Sequence, residues 1–367
     1  MRWNYTVNDI IRQHWNTIQS LGLNRYQLRH LHNISKCHTA ELGGVVLTCT
    51  DCGHVQYKYH SCRNRHCPSC QGSKREEWIA KQQQYLLNVP YFHVVFTLPS
   101  ELHQLCLHKP KVMYKILFDA SYSTIKTLAK VKKYLGAQTG MTAVLHTWSQ
   151  NLSLHPHLHC IVPGGGVTKS GQWKATRNNG KYLFPAKVMA RIYRAIFIKQ
   201  LKQLAKQGVI SLSKSLREKL YNKRWVVYAK RPFTNPNHVI EYLGRYTHKV
   251  AISNYRLIKV SKTHVTFKWK DYRHGNTKKE MTLSISKFLR RFALHILPHR
   301  FVRIRHYGIL SNHGRKTTIP TLQQQQNYEP QISLIVQRPI TGVETCNLCQ
   351  CNRLITTILT RANTRSP

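Results

Sequence analysis

A chain of 367 residues is long enough for one large core or two to three domains. Its 57 Lys and Arg against 13 Asp and Glu give a formal charge of +44, which excludes an ordinary enzyme of small-molecule substrates and points to a polyanion, nucleic acid before an anionic membrane. No apolar run approaches the roughly 20 residues that span a bilayer, and the first fifteen residues hold no signal-peptide core, so a bacterial cytoplasmic, nucleoid-associated protein without a membrane partner is expected.

Residues 1–88 read as an N-terminal helical and zinc-binding domain. Val7 to Trp15 and Arg25 to Ile34 place apolar residues three and four apart, the helical period, and Gly43-Gly44 breaks the pattern. Two cysteine runs follow, Cys49-Thr50-Asp51-Cys52-Gly53-His54 and Cys62-Arg63-Asn64-Arg65-His66-Cys67-Pro68-Ser69-Cys70. In a reducing compartment such clusters are metal ligands before they are disulfides. The two Cys-x-x-Cys knuckles predict a tetrahedral Zn²⁺ on Cys49, Cys52, Cys67 and Cys70. Cys37, Cys62 and His66 remain for a second zinc. Tyr57, Lys58, Tyr59, Arg63 and Arg65 are interleaved with these ligands, so the module is expected to touch nucleic acid. The plainer reading is that zinc holds together a domain too small to fold on its own core.

Residues 89–316 are expected to form the catalytic domain. Ser73 to Leu87 reads as a helix leading into it, Tyr91 to Pro99 as a buried strand rich in β-branched and aromatic residues, and Pro110 to Tyr134 as an amphipathic helix. Thr142 to Ser149 and His157 to Val162 are strands, and Gly164-Gly165-Gly166 is a turn that admits another backbone closely. Helices follow at Pro185 to Gln207 and Ser213 to Arg224, a strand at Trp225 to Arg231, and a helix at Pro236 to Lys249. Residues 252–283 alternate as hairpins around Gly275-Asn276. Ser286 to Leu297 is helical and Phe301 to His306 is a basic strand. From Thr317 the pattern dissolves into a glutamine run, so 317–367 is expected as a flexible tail. It carries Cys346-x-x-Cys349 and Cys351, half a metal site whose completion is sought among His295, His299, His306 and His313.

The chemistry is concentrated at His155-Pro156-His157-Leu158-His159-Cys160. Residues two apart on a strand share a face, so His157 and His159 form a pair of ligands while Leu158 and Cys160 turn to the other side. Gln150, seven residues before His157 across a hairpin turn, makes a third ligand for Mg²⁺ or Mn²⁺, and His146 competes for that place. On the Pro236 helix, Tyr242 and Tyr246 project from one face one turn apart, with Arg245 and Lys249 crowding the same helix as DNA contacts. A tyrosine hydroxyl, with an ordinary pKa near 10, becomes a useful nucleophile beside a phosphate that a metal has polarised.

Cys49–Cys52, Ser61 to Cys70, His146-Thr147-Trp148, His155 to His159, Arg231-Pro232-Phe233 and Tyr242 to His248, in this order, resemble the IS91 family of insertion-sequence transposases, HUH-type rolling-circle enzymes with an N-terminal zinc-binding domain. The resemblance runs from about Cys37 to Leu310. It implies an α/β fold of the α+β kind, with an antiparallel sheet and packed helices behind a small zinc domain. It implies His157 and His159 as metal ligands, with Gln150 where the family's third ligand falls. Tyr242 and Tyr246 match its catalytic tyrosines, and Arg231, Arg303 and Arg305 become phosphate contacts. It further implies cleavage and rejoining of single-stranded DNA at transposon ends and target through a 5′-phosphotyrosine. Unwinding is left to a host helicase, since the chain shows no phosphate-binding Gly-Lys-Ser/Thr loop. Two other readings compete. A non-catalytic zinc-ribbon DNA-binding protein leaves the histidine and tyrosine pairs unexplained, and a plasmid HUH replication initiator or relaxase shares the chemistry without the zinc block.

Overall fold

The computed structural model describes residues 4–70, 72–233, 236–247, 249–272, 274–330 and 345–360. Its helices are α1 (Val7–Gln13), α2 (Trp15–Gln19), α3 (Arg25–Ser35), α4 (Gly72–Gln83), α5 (His103–His108), α6 (Pro110–Lys130), α7 (Ala186–Lys206), α8 (Lys214–Asn222), α9 (Pro236–Thr247), α10 (Ile285–Ala293) and α11 (Asn312–Gln325). The strands are β1 (Gly44–Cys49), β2 (Val55–Tyr59), β3 (Tyr91–Thr97), β4 (Gly140–Trp148), β5 (Leu154–Pro163), β6 (Gly165–Val167), β7 (Trp173–Ala175), β8 (Val227–Ala229), β9 (Leu257–Val260), β10 (His264–Asp271), β11 (Thr277–Ser284), β12 (Ile304–Gly308) and β13 (Leu354–Leu359). No helix among the described residues is long and apolar enough to cross a membrane.

Five of these strands form an antiparallel sheet in the order β12-β4-β5-β3-β8. β4 is buried along its whole length because both faces of the sheet are covered. On one face, Leu145, Leu158 and Cys160 meet Phe118 of α6 and Phe197 of α7 in the largest core. On the other, Val144 and Ile161 meet Val239 and Ile240 of α9 and Ile319 and Leu322 of α11. The alternation of β5 therefore sends His157 and His159 to the α9 side. A second antiparallel sheet, β11-β10-β9, packs with α10 onto the N-terminal helices through Phe267, Phe288, Ile10 and Ile34. A third, β13-β1-β2, carries the cysteine runs. The expected class, a mixed fold with an antiparallel sheet and packed helices, is the observed one.

Two expectations are corrected. Gly164 to Gly166 do not form a simple turn: Gly165 and Gly166 lie in β6, paired with β7. The close approach is real, since a Cβ on Gly166 would stand 2.5 Å from the Gln138 carbonyl. Residues 317–367 do not form a separate flexible tail as a whole. Ser311 caps α11 by accepting the Gly314 N–H at 3.2 Å, and the helix continues through Pro320 to Gln325. Burial of Ile319 and Leu322 under the main sheet outweighs the poor local pattern. β13 returns to pair with β1, so the chain's two ends share one sheet.

Candidate metal and tyrosine site

β4 and β5 pair with His146 opposite His157 and Val144 opposite His159. Cross-strand partners share a face, so three imidazoles converge, each offering a nitrogen within 4.8 Å of the others. His157 Nε2 and His159 Nε2 stand 3.2 Å apart. The remaining ring nitrogens are engaged. His157 Nδ1 donates to the His155 carbonyl at 2.6 Å, so its Nε2 presents a lone pair. His146 Nε2 donates to the Tyr246 carbonyl at 2.7 Å, leaving the Nδ1 lone pair. His159 Nδ1 lies 2.9 Å from Nε2 of His93 on β3. Such outer partners fix the tautomer and aim of metal-binding rings. Burial, the largest cause, pushes His157 down to about 3 and His146 and His159 well below the ordinary histidine range. All three rings are thus neutral near pH 7, the form that ligates a cation. The donor set fits a divalent metal.

The tyrosines come to the same place on α9. The Tyr246 ring lies 4.0 Å from the His159 ring, and Tyr246 Oη donates to Tyr242 Oη at 2.9 Å. Tyr242 Oη is 3.4 Å from His93 Nδ1. Lys230 Nζ lies 5.3 Å from the Tyr242 ring centre and Lys249 Nζ 5.8 Å from that of Tyr246, so two ammonium groups flank the pair. α9 reaches the sheet because Gly244 lies against α4: a Cβ there would meet Ile79 Cδ1 at 2.5 Å. His93 went unnoticed in the sequence; a lone histidine in the apolar run Tyr91-Phe92-His93-Val94-Val95 was its only signal.

The third nitrogen of the cluster is that of His146. Gln150 lies in the loop between Trp148 and Leu154, beyond the paired histidines, where its carbonyl accepts from the Arg256 guanidinium. Seven residues of sequence separation span the hairpin turn rather than the ladder.

Several expected DNA contacts are spent on the protein itself. Arg65 donates to the Phe301 and Pro298 carbonyls at 2.7 and 3.3 Å. Arg303 donates to the Thr247 and Lys249 carbonyls, and its burial lowers its pKa to about 10. The Arg305 guanidinium lies 4.3 Å from the centre of the Phe118 ring. These three arginines fasten the fold, and Arg303 also holds the C-terminal end of α9. Arg231, Lys249 and Arg63 are exposed, the last in a left-handed turn with φ 51°. The Arg245 side chain lies outside the described residues.

The cysteines pair differently from their spacing. Cys37, Cys62, Cys67 and Cys70 form one quartet, with Sγ–Sγ distances of 3.4 Å for Cys37–Cys70 and 3.6 Å for Cys62–Cys70. Asn8 of α1 donates to Cys67 Sγ at 3.2 Å, tying this quartet to the N-terminal helices. His66 is not in it: its Nε2 accepts from Arg65 Nε at 3.3 Å. Cys49 and Cys52 turn away from Cys67 and Cys70 to face Cys346 and Cys349.

The family described as "Transposase zinc-binding domain" matches residues 10–98 and that described as "Putative transposase" matches 140–317. The class is therefore a transposase that carries a zinc-binding domain. The chain is 43% identical over 325 residues to the "Putative transposase y4qJ" of Sinorhizobium fredii, covering 84% of this chain and 81% of that protein. It is 30% identical over 301 residues to the transposase of insertion sequence element IS801 from Pseudomonas savastanoi pv. phaseolicola, covering 79% and 72%. The chain belongs to the IS91 family of insertion-sequence transposases. Among solved structures, the conjugative relaxase TrwC in complex with oriT DNA, metal-free and metal-bound, matches at 12% identity with TM-scores of 0.25 and 0.24. These matches cover 42% and 43% of this chain and 71% of the relaxase chain.

Proposed function

We propose that this transposase cleaves and rejoins single-stranded DNA at the ends of an insertion sequence by tyrosine attack on phosphorus. The observation that carries the reading is the convergence of the Tyr242 and Tyr246 hydroxyls on the histidine cluster. A divalent cation on His146, His157 and His159, with Mn²⁺ suiting three imidazoles better than Mg²⁺, supplies polarisation of the phosphate and neutralises its growing charge.

Tyr242 is the first nucleophile in this reading. Were His159 to hold the cation through Nε2, its Nδ1–H would donate to His93 Nε2, and neutral His93 would then carry its proton on Nδ1, facing Tyr242 Oη. Tyr242 Oη thus receives two donors, His93 Nδ1–H and Tyr246 Oη–H, which stabilise negative charge on that oxygen as it attacks and, in rejoining, as it leaves. The Tyr242 oxygen bonds to phosphorus, the P–O3′ bond breaks, and the phenolic proton passes through solvent to the departing 3′ oxygen. The 5′-phosphotyrosine conserves the phosphodiester bond energy, so rejoining needs no nucleotide. Tyr246 then takes a second strand end. Lys230, Arg231 and Lys249 hold the DNA backbone beside the pair.

The test uses single-stranded DNA of a transposon end, labelled on the fragment retained by the protein, with Mn²⁺. A covalent protein–DNA species is expected that disappears with EDTA and in the Tyr242→Phe/Tyr246→Phe double variant. Tyr242→Phe alone should suppress the first adduct more than Tyr246→Phe. DNA that binds without ever forming an adduct would leave the zinc-ribbon binding protein as the correct reading.

A further inference from the structure

Outside the histidine cluster, the strongest unassigned chemistry lies where the chain's two ends meet. We propose a second thiolate zinc site, built from Cys49 at the end of β1 and Cys52 after it and from Cys346 and Cys349 before β13, which clamps the C-terminal segment onto the N-terminal zinc module. The quartet lies partly outside both matched family regions, which end at residues 98 and 317. It does not depend on the tyrosine chemistry.

Four observations carry it. First, both halves are Cys-x-x-Cys knuckles, the spacing that lets one turn present two thiolates to one metal. Second, β13 pairs with β1 without a slip from Gly44–Leu359 to Cys49–Leu354, and the Thr50 N–H continues the ladder to the Arg353 carbonyl at 3.0 Å. That register brings the two knuckles to one end of the sheet. Third, the sulfurs have the right separation. Cys49–Cys349 and Cys52–Cys346 are each 3.6 Å apart. Four thiolates at ~2.3 Å from a tetrahedral zinc lie about 3.8 Å from one another. Backbone N–H groups already face the sulfurs: Cys52 N–H donates to Cys49 Sγ and Leu348 N–H to Cys346 Sγ, each at 3.4 Å. Fourth, β13 has little apolar packing among the described residues. Ile355 and Ile358 are 59% and 75% exposed and Leu354 and Leu359 only half-buried, so no core backs its ladder to β1. The Arg353–Asp51 ion pair, 2.9 Å and largely exposed, adds little.

Sulfur donors in a closed tetrahedral set select zinc over the hard cations. The site closes a loop of nearly the whole chain and gives β1 a partner on both edges, where it would otherwise present an open one. Cys351, 3.2 Å from Cys49 Sγ, is a fifth thiol beside the quartet and is not needed for tetrahedral closure.

Cobalt(II) replaces zinc and reports thiolate ligation by a charge-transfer absorption to which a histidine site contributes nothing. In the full chain, four of the eight thiolates belong to each quartet. Cys346→Ser/Cys349→Ser is expected to lose about half the intensity, as is Cys49→Ser/Cys52→Ser, and the quadruple variant should lose no more than either pair. Intensity unchanged by the Cys346/Cys349 pair, or losses that add in the quadruple variant, would overturn the shared site. A second measurement needs no variant. Cys52 and Cys349 are exposed, so unliganded they react freely with N-ethylmaleimide. Peptide mapping of the zinc-loaded chain should find both protected and chelation should release them together; equal labelling of Cys349 with and without zinc would refute the clamp. Loss of DNA cleavage alone bears on neither outcome.

Discussion

The histidine site and the cysteine quartets are both places for a metal, yet they are built in opposite ways. His146, His157 and His159 stand on two neighbouring strands of the main sheet, and in the proposed reading three ligands leave positions open for a substrate. Each quartet is closed, and each fastens segments distant in sequence: the first joins residue 37 to residues 62–70 and leans on α1, and the second joins residues 49 and 52 to 346 and 349. Three ligands on a preformed sheet belong to chemistry; four on loops belong to folding.

That difference predicts opposite responses to losing a ligand. The largest effect is expected at the first quartet. Cys67→Ser/Cys70→Ser removes half its ligands, and structural zinc sites contribute on the order of 10 kcal/mol of apparent binding free energy to the fold they hold. The packing of α1 and α3 on α10 should be lost, seen as early melting of the N-terminal region by hydrogen exchange. A variant that melts like the parent would show that the helical packing, not the metal, organises the module. His157→Ala should do the reverse. Formation of the covalent adduct should fall by on the order of 10³-fold, the worth of several kcal/mol of lost charge stabilisation. The melting temperature should move little, because the strand is held by its ladder and by Leu158 and Cys160 on the other face. Activity that survives in this variant at saturating Mn²⁺ would remove the histidines from the chemistry.

A smaller effect comes from a histidine that takes no part in either kind of site. His295 is buried, 3.1 Å from Thr147 Oγ1 and 3.2 Å from the Leu152 carbonyl, and burial lowers its pKa from 6.5 to about 4. The unfolded chain therefore binds the proton first as pH falls. Its contribution is fully present above about 6.5 and is lost between there and about 4, roughly 3 kcal/mol across the window. Urea unfolding at pH 7 and pH 4.5 should show a steeper decline in the parent than in His295→Gln. Parallel slopes would show that other groups carry the acid sensitivity.

How far the molecule could be read from its sequence follows the same division. That His157 and His159 share a strand face, and Tyr242 and Tyr246 a helix face, was legible because strand and helix periods are local rules. Most strands and helices between Tyr91 and His306 were legible for the same reason, whereas β1, β2, β6, β7, α11 and β13 were not. The place of His146 was harder to read: it depends on which residue pairs across the hairpin, and the β4–β5 register sets His146 opposite His157. The cysteine pairing failed more widely, because Cys49 and Cys52 find their partners some 300 residues away through β13, which no spacing rule reaches. Arg65 and Arg303 looked like DNA contacts in a chain of this charge. Only the tertiary fold shows their guanidinium groups turned onto carbonyls.

The smallest predicted change in stability probes the one part of the proposed active site that does not stand on the sheet. The tyrosines ride on α9, and α9 is positioned by its contact with α4 at Gly244. Gly244→Ala favours the helix by about 1 kcal/mol through propensity. The new Cβ, however, would lie 2.5 Å from Ile79 Cδ1 and 2.6 Å from Cγ1, so Ile79 must rotate or α9 must move outward, an overpacking of typically 1–3 kcal/mol. The two terms nearly cancel, and a net loss of about 1 kcal/mol is expected by urea unfolding. The rate is less forgiving. A displacement of about 1 Å can cost on the order of 10²-fold when the nucleophile must meet phosphorus in line. Adduct formation should therefore drop far more than stability, and pairing Gly244→Ala with Ile79→Val should recover part of the rate by making room for the methyl. Equal small losses in rate and stability would mean that the tyrosine helix tolerates movement, and that the histidine strands alone set the geometry of cleavage.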